Sequence, residues 1–343
     1  MGSTFNDTKR LSIATKLADM KALQNLLINN EQQFIQDCTD DDIRERLQDM
    51  LEDERKNLGV LDTVIVQYGV KGEPMATTSK IIESVKKLMS SSSLTFFEKV
   101  QEHELLKHKQ TMAGLLIHKA ALVVGADIEA AITPLNTVNF ENRAHQEQLK
   151  GILEILGIRE LTGLEPKQGL WARVQDAIAA LTGVVGSVVT RTDDEMSIRN
   201  LLLMDHTKAD ILFREILSAN DPQKIQEYFG QLYKDIKVHG TAEEQVLYPA
   251  VRPYYEHTQE IYDQTDEVMQ MLDEIKPLKP SESEFKAKIE QLRTAVRTHI
   301  NQEENDIFPK LRDNFSHEQQ KQMATEFKTA KSKLQEQMAA SLT

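Results

Sequence analysis

Apolar residues recur at helical spacing in long blocks from one end of the chain to the other. Leu11, Ala14, Leu17, Leu23 and Leu27 form one stripe, and Ile43, Leu47, Met50, Leu58, Leu61 and Ile65 a second, which predicts two long opening helices. The break "YGVKGEP" leads to a shorter segment with Ile81, Val85, Leu88 and Met89, and a serine run from Ser90 ends it. Two further long blocks, at about 94–124 and 127–156, follow; the second contains Pro134, where a kink is expected. The stretch "GIRELTGLEPKQG", 157–169, has no apolar stripe but three glycines and a proline, so a domain boundary is expected there. Beyond it Trp171, Val174, Ile178 and Leu181 share one face of a connecting helix. Four more helical blocks occupy about 197–219, 222–251, 254–276 and 282–312, and a last one starts at the capping-box sequence "SHEQ" from Ser316. The predicted class is all-α, with two helical bundles: residues 1–160, a linker and connecting helix at 161–195, and residues 196–343.

Composition narrows the partners. A formal charge of −13 with no basic cluster repels phosphate backbones and predicts no nucleic-acid partner. The connecting helix has too few cations on its polar face to suit a membrane surface, and no apolar run reaches spanning length. One cysteine, Cys38, leaves no internal disulfide framework, so the expected location is cytoplasmic.

One phrase is written twice. "HGTAEEQVLYPAV" begins at His239 and "HINQEENDIFPKL" at His299, each with a histidine, glutamates four and five positions on, and then an aliphatic, an aromatic and a proline. Residues four apart on a helix share a face, so His239 with Glu243 and His299 with Glu303 each make a two-ligand claw. The stripes Ile225, Phe229, Leu232, Ile236 and Phe285, Ile289, Leu292, Val296 run directly into these histidines and turn both claws toward the core. A lone inward histidine is usually a hydrogen-bonded core residue, but two buried carboxylates need compensating cations, and a divalent metal supplies them. Imidazole and carboxylate together suit iron, manganese or zinc, and duplicated carboxylates favour two metals. His206, in "MDHTKAD", lies on the inward stripe of the preceding block and precedes His239 by 33 residues. The corresponding position before His299, at 34 residues and on the stripe Ile261, Val268, Leu272 and Ile275, holds Thr265, so the second copy of this helix pair is imperfect. His257 lies two turns away, about 12 Å, and Gln264 faces about 100° aside, so neither is an evident substitute. Tyr248 and Phe308, at equivalent positions, are expected in the apolar shell, and Glu244 and Glu304 beside the site or in solvent.

On "DH" at 205–206 and the paired "HGTAEEQVLYP" and "HINQEENDIFP", the segment from about 197 to 338 resembles hemerythrin-like HHE domains. The resemblance implies a four-helix bundle around two non-haem irons, with His206, His239 and His299 as terminal ligands and Glu243 and Glu303 bridging. Thr265 stands where that family usually has a histidine. The N-terminal helix pattern resembles ferritin-like bundles in topology alone, because the paired ExxH of their metal sites is missing. Glu104 with His108 and Glu141 with His145 sit at claw spacing near His118, but on polar stripes expected to face solvent, and this bundle is expected to hold no metal.

The function expected from these features is binding or reduction of a small diatomic or peroxide ligand, with loss of the histidine at Thr265 tilting it toward turnover. The alternative is an iron-responsive protein whose loaded bundle is read by a protein partner, or a homo-oligomer, through the N-terminal bundle. The sequence assigns no catalytic residue and leaves enzyme status open.

Overall fold

A computed structural model of the chain describes residues 8–166, 174, 177 and 196–340. Every regular element among them is helical: α1 (Thr8–Asp37), α2 (Asp41–Tyr68), α3 (Ala76–Met89), α4 (Phe96–Val124), α5 (Ala126–Ile132) and α6 (Leu135–Thr162) precede the interrupted segment. After it come α7 (Ile198–Ser218), α8 (Pro222–Val251), a 3₁₀ turn (Arg252–Tyr254), α9 (Thr258–Ile275), α10 (Ser283–Gln302), a π turn (Glu303–Ile307), α11 (Phe308–Asn314) and α12 (His317–Ala340). No described helix is long and apolar enough to cross a membrane.

Local chemistry sets the ends of these elements. Asp40 caps α2 by accepting from the Ile43 amide, and Thr95 and Glu98 form a capping box at α4. The expected kink at Pro134 is a full break, with α5 ending at Ile132 and α6 starting at Leu135. α6 runs on to Thr162 and stops at Gly163 in the left-handed region (φ 67°), so the first half of the stretch read as a boundary is helix. The expected connecting helix lies outside the described residues except for Val174 and Ala177, both helical.

In the N-terminal part α1 packs on α2 and α4, α6 closes the ring against α2 and α4, and α3 lies on α1. Of the polar stripes expected to face solvent, Gln101 and His108 do so, Glu104, His118 and Glu141 are half-buried, and Thr111 and His145 are buried. Glu54 and Lys107 are fully buried and paired, and His145, also buried, sets Nδ1 2.6 Å from Glu54 Oε1. His103 Nε2 meets Glu31 Oε1 at 3.0 Å, both buried. Burial opposes charge on His145, but Asp53 and Glu54 overcome it and raise its pKa to about 9. A lysine ammonium therefore neutralises the buried Glu54 carboxylate at the middle of this bundle. His108 stays exposed, as expected.

In the C-terminal part α8 packs against α7, α9 and α12, while α10 lies between α7 and α9. No apolar cluster among the described residues is shared between the two parts; residues 13–155 and 198–334 form separate cores. They meet where α5 packs on α7 and through polar contacts at the end of α2. Lys208 donates to the carbonyls of Gln67 (2.8 Å) and Tyr68 (2.9 Å), the side-chain amide of Gln67 donates to the Leu201 carbonyl (3.3 Å), and Lys331 donates to Gln67 Oε1 (3.0 Å). The next residue, Gly69, has φ 77°, and a side chain there would collide with Asp235. A cation against the last carbonyls of α2 also favours its helix dipole.

Candidate metal centre

α8 and α10 are amphipathic, and their apolar stripes end at His239 and His299, so folding of the core delivers both claws inward. One turn on, Glu243 and Glu303 are fully buried. The second copy differs in backbone: Glu303–Ile307 is a π turn, whereas the chain around Glu243 stays α-helical.

Ligand-type atoms of His206, His239, Glu243 and Glu303 lie within 4.8 Å of one another, and no other described group of three or more such residues does so. His206 Nε2 is 3.2 Å from Glu303 Oε2, and His239 Nε2 is 3.0 Å from Glu243 Oε1. His206 Nε2, Glu243 Oε1 and Glu303 Oε2 are nonetheless buried with no aligned hydrogen-bond partner among the described residues. Buried polar atoms are rarely left so, and a divalent cation would satisfy all three. The donor set of two imidazoles and two carboxylates fits that cation.

The opposite oxygens of the same glutamates face a different environment. Glu243 Oε2 and Glu303 Oε1 lie 3.2 and 3.1 Å from the hydroxyl of Tyr248. That hydroxyl is also 3.2 Å from Thr265 Oγ1 and 3.2 Å from His299 Nε2. His299 thus belongs to the site but stands on its far side, 3.4 Å from Glu303 Oε1 and 3.9 Å from Glu243 Oε2. Tyr248 is not a member of the apolar shell, as its spacing suggested; its ring packs edge-on against Tyr262 and its hydroxyl is central. Phe308, its counterpart, does line the site, stacked on His206 with ring planes 4° apart. The aromatic of each motif therefore reaches the leading position of the other copy: Phe308 over His206, Tyr248 over Thr265.

Each imidazole is oriented through Nδ1, which leaves Nε2 for the site. Nδ1 of His239 meets Asp205 (2.9 Å), that of His206 meets Glu304 (2.9 Å), and that of His299 meets Gln264 (3.3 Å). Asp205 is in turn gripped by Lys331 at 2.7 and 2.6 Å. Gln264 acts behind His299 and His257 pairs with Glu260 at the exposed start of α9, so neither replaces the missing histidine. The orienting role of Asp205 was not read from the sequence; its only signal was adjacency to His206.

Burial opposes charge on the imidazoles, yet the facing carboxylates prevail and raise all three pKa values, that of His239 to about 10 through Glu243 and Asp205. Burial would raise Glu243, but His239 and His299 hold it below the usual carboxylate range. Burial, reinforced by Glu243 and Glu303, pushes the Tyr248 phenol well up, so it is a neutral hydroxyl at physiological pH. A cavity of about 40 Å³ adjoins the site, and Val268, Met269, Val296 and Ile300 supply much of its lining.

Residues 197–311 match the hemerythrin HHE cation binding domain, so this bundle is a metal-cation-binding domain of that class. Over 139 residues, 39% of this chain and 68% of the other, it is 27% identical to an uncharacterised hemerythrin-like protein of Schizosaccharomyces pombe. Across its whole length, covering 99% of the other chain, it is 57% identical to a Nostoc protein named DNA nickase. The chain therefore belongs to the same family as this Nostoc protein, with the HHE match confined to residues 197–311. No solved structure matches it.

Proposed function

We propose that this chain is an iron-dependent DNA-nicking protein in which the HHE bundle holds the cation and a small oxidant is consumed there. The observation that carries the reading is correspondence along the whole chain, at 57% identity, with a relative named DNA nickase. The overall charge of −13 argues against duplex binding, but charge is not evenly spread. A groove of about 430 Å³ between α7 and α10 is lined by Arg214, by Arg293 paired with Glu290 at 3.3 Å, and by Arg297 paired with Asp210 at 3.1 Å. Guanidinium groups suit phosphate oxygens, and Arg297 lies two residues from His299 on the same helix. A strand in this groove would rest on the outer flank of the helices that carry His206 and His299.

The inner cavity limits the chemistry. About 40 Å³ admits a water or a diatomic molecule, not a nucleotide. The expected ligand is therefore dioxygen, peroxide or nitric oxide, and DNA is cut from outside the bundle by a small oxygen species. When bound, iron supplies redox activation of the oxidant. His206, His239, Glu243 and Glu303 hold it, Asp205 and Glu304 orient the imidazoles, and the apolar lining keeps bulk water away. A second reading, oxidant reduction without DNA, is favoured by the same small cavity.

Conversion of supercoiled plasmid to open circle, measured with ferrous iron, oxygen and protein, tests both. The expected result is protein-dependent nicking that catalase suppresses, that Glu243→Gln abolishes, and that charge reversal at Arg214, Arg293 and Arg297 weakens. Nicking by magnesium without oxygen would replace this chemistry with hydrolysis. No nicking above that of free iron, with peroxide still consumed, would leave oxidant reduction as the function.

A further inference from the structure

The two halves of the centre are not equivalent. On one side, His206 Nε2, Glu243 Oε1 and Glu303 Oε2 converge without hydrogen bonds among the described residues, and His239 joins them. On the other, Glu243 Oε2, Glu303 Oε1, His299 Nε2 and Thr265 Oγ1 all meet one atom, the Tyr248 hydroxyl, at 3.1 to 3.2 Å. Thr265 donates its own proton to the Ile261 carbonyl at 3.0 Å, so it has none to give Tyr248, whose single proton faces the carboxylate oxygens of Glu243 and Glu303. The same point cannot hold both a phenol oxygen and a cation bound by those glutamate oxygens and His299, unless the ring moves. That ring is fully buried against Tyr262.

The exchange between the two sequence repeats explains how this arises. One copy pairs a histidine, His206, with an aromatic that has no hydroxyl, Phe308. The other pairs a short threonine with tyrosine, and the phenol oxygen extends into the space left where an imidazole would reach. Thr265 and Tyr248, 17 residues apart and in contact, act in one direction: the leading position offers no imidazole, and the phenol fills its place.

We propose that the HHE bundle holds a single tightly bound cation, at His206, His239, Glu243 and Glu303, and that the Tyr248 hydroxyl occupies the second position and keeps it closed. This rests on the metal-dependent reading above and departs from the two-iron expectation. His299 and Tyr248 then serve as positioning residues that hold the outer oxygens of Glu243 and Glu303, so that the inner oxygens face the cation.

The test is anaerobic loading of the full chain with ferrous iron, removal of loose metal by desalting, and metal analysis. About one iron per chain is expected for the unaltered protein, and about two for Tyr248→Phe combined with Thr265→His, which clears the second position and supplies its imidazole. Tyr248→Phe alone should raise the content above one. Two irons of equal affinity in the unaltered protein would overturn the proposal, as would a phenolate-to-iron absorption band lost in Tyr248→Phe, since tyrosine would then be a ligand. No retained iron would overturn the metal-dependent reading itself. Because the decisive measurement is made on the unaltered chain, a variant that fails to fold does not remove the test.

Discussion

Asp205→Asn removes the carboxylate that links His239 to Lys331, and its effect can be worked from the structure. Burial would raise Asp205, but Lys331 and His239 hold it at about 2 against an ordinary value of 3.8. At about 1.4 kcal/mol per pKa unit, ionised Asp205 contributes about 2 to 3 kcal/mol to stability. Its side chain keeps 11% exposure, which favours the lower end of that range. The variant also strands the Lys331 ammonium, 5% exposed, on Gln67 Oε1, and breaking a buried pair costs about 3 to 5 kcal/mol. A loss of about 3 kcal/mol at pH 7 is therefore expected in urea unfolding of the chelator-treated protein. The sign with pH follows from the depressed folded value: the contribution is complete above about pH 4 and is lost as pH falls through 2, about half by pH 3. The gap between the unaltered protein and Asp205→Asn should narrow accordingly, and adding Lys331→Met should recover part of the loss. A gap below about 1 kcal/mol at pH 7, or one that ignores acid, would refute the view that this pair secures His239.

Lys107→Met should destabilise the N-terminal bundle by about 3 kcal/mol in denaturant unfolding, because it leaves the buried Glu54 short of its main cation; adding Glu54→Gln should restore much of it. His145, raised to about 9, contributes stability that is fully present below about pH 6.5 and lost as pH rises through 9, so His145→Gln should flatten the alkaline fall of the unfolding midpoint. Cation binding should displace the proton that His239 holds up to about pH 10, together with any held by His206, releasing at least one proton per cation at pH 7; an indicator-dye titration with no release would contradict a charged His239.

The claws were legible because an HxxxE pair on an amphipathic helix states its own geometry: spacing fixes the face, and the stripe fixes which way it points. The departure at Thr265 was legible too, from the repeat distance together with the apolar stripe on which the residue lies. What fills the gap was not. Tyr248 sits on a stripe where any aromatic reads as core, and its hydroxyl gains meaning only when α8, α9 and α10 are assembled. Glu54, Lys107 and His145 were hidden for a related reason, since residues 53 and 91 positions apart cancel each other's charge only in the fold. A polar stripe on a helix does not by itself separate a solvated face from a buried ion pair.

The polar contacts at the end of α2 bear on how this chain could have been assembled in evolution. Lys208 and Lys331 place their ammonium groups on carbonyl and amide oxygens that belong to the N-terminal bundle. A C-terminal half cut free would carry Lys208 and Lys331 without those acceptors, and Lys331 holds the carboxylate that aims His239. The HHE segment of this chain is therefore not an interchangeable cassette. Recombination that swapped its neighbour would have to replace Gln67 and the last turn of α2 with another set of oxygens, or lose metal affinity together with stability.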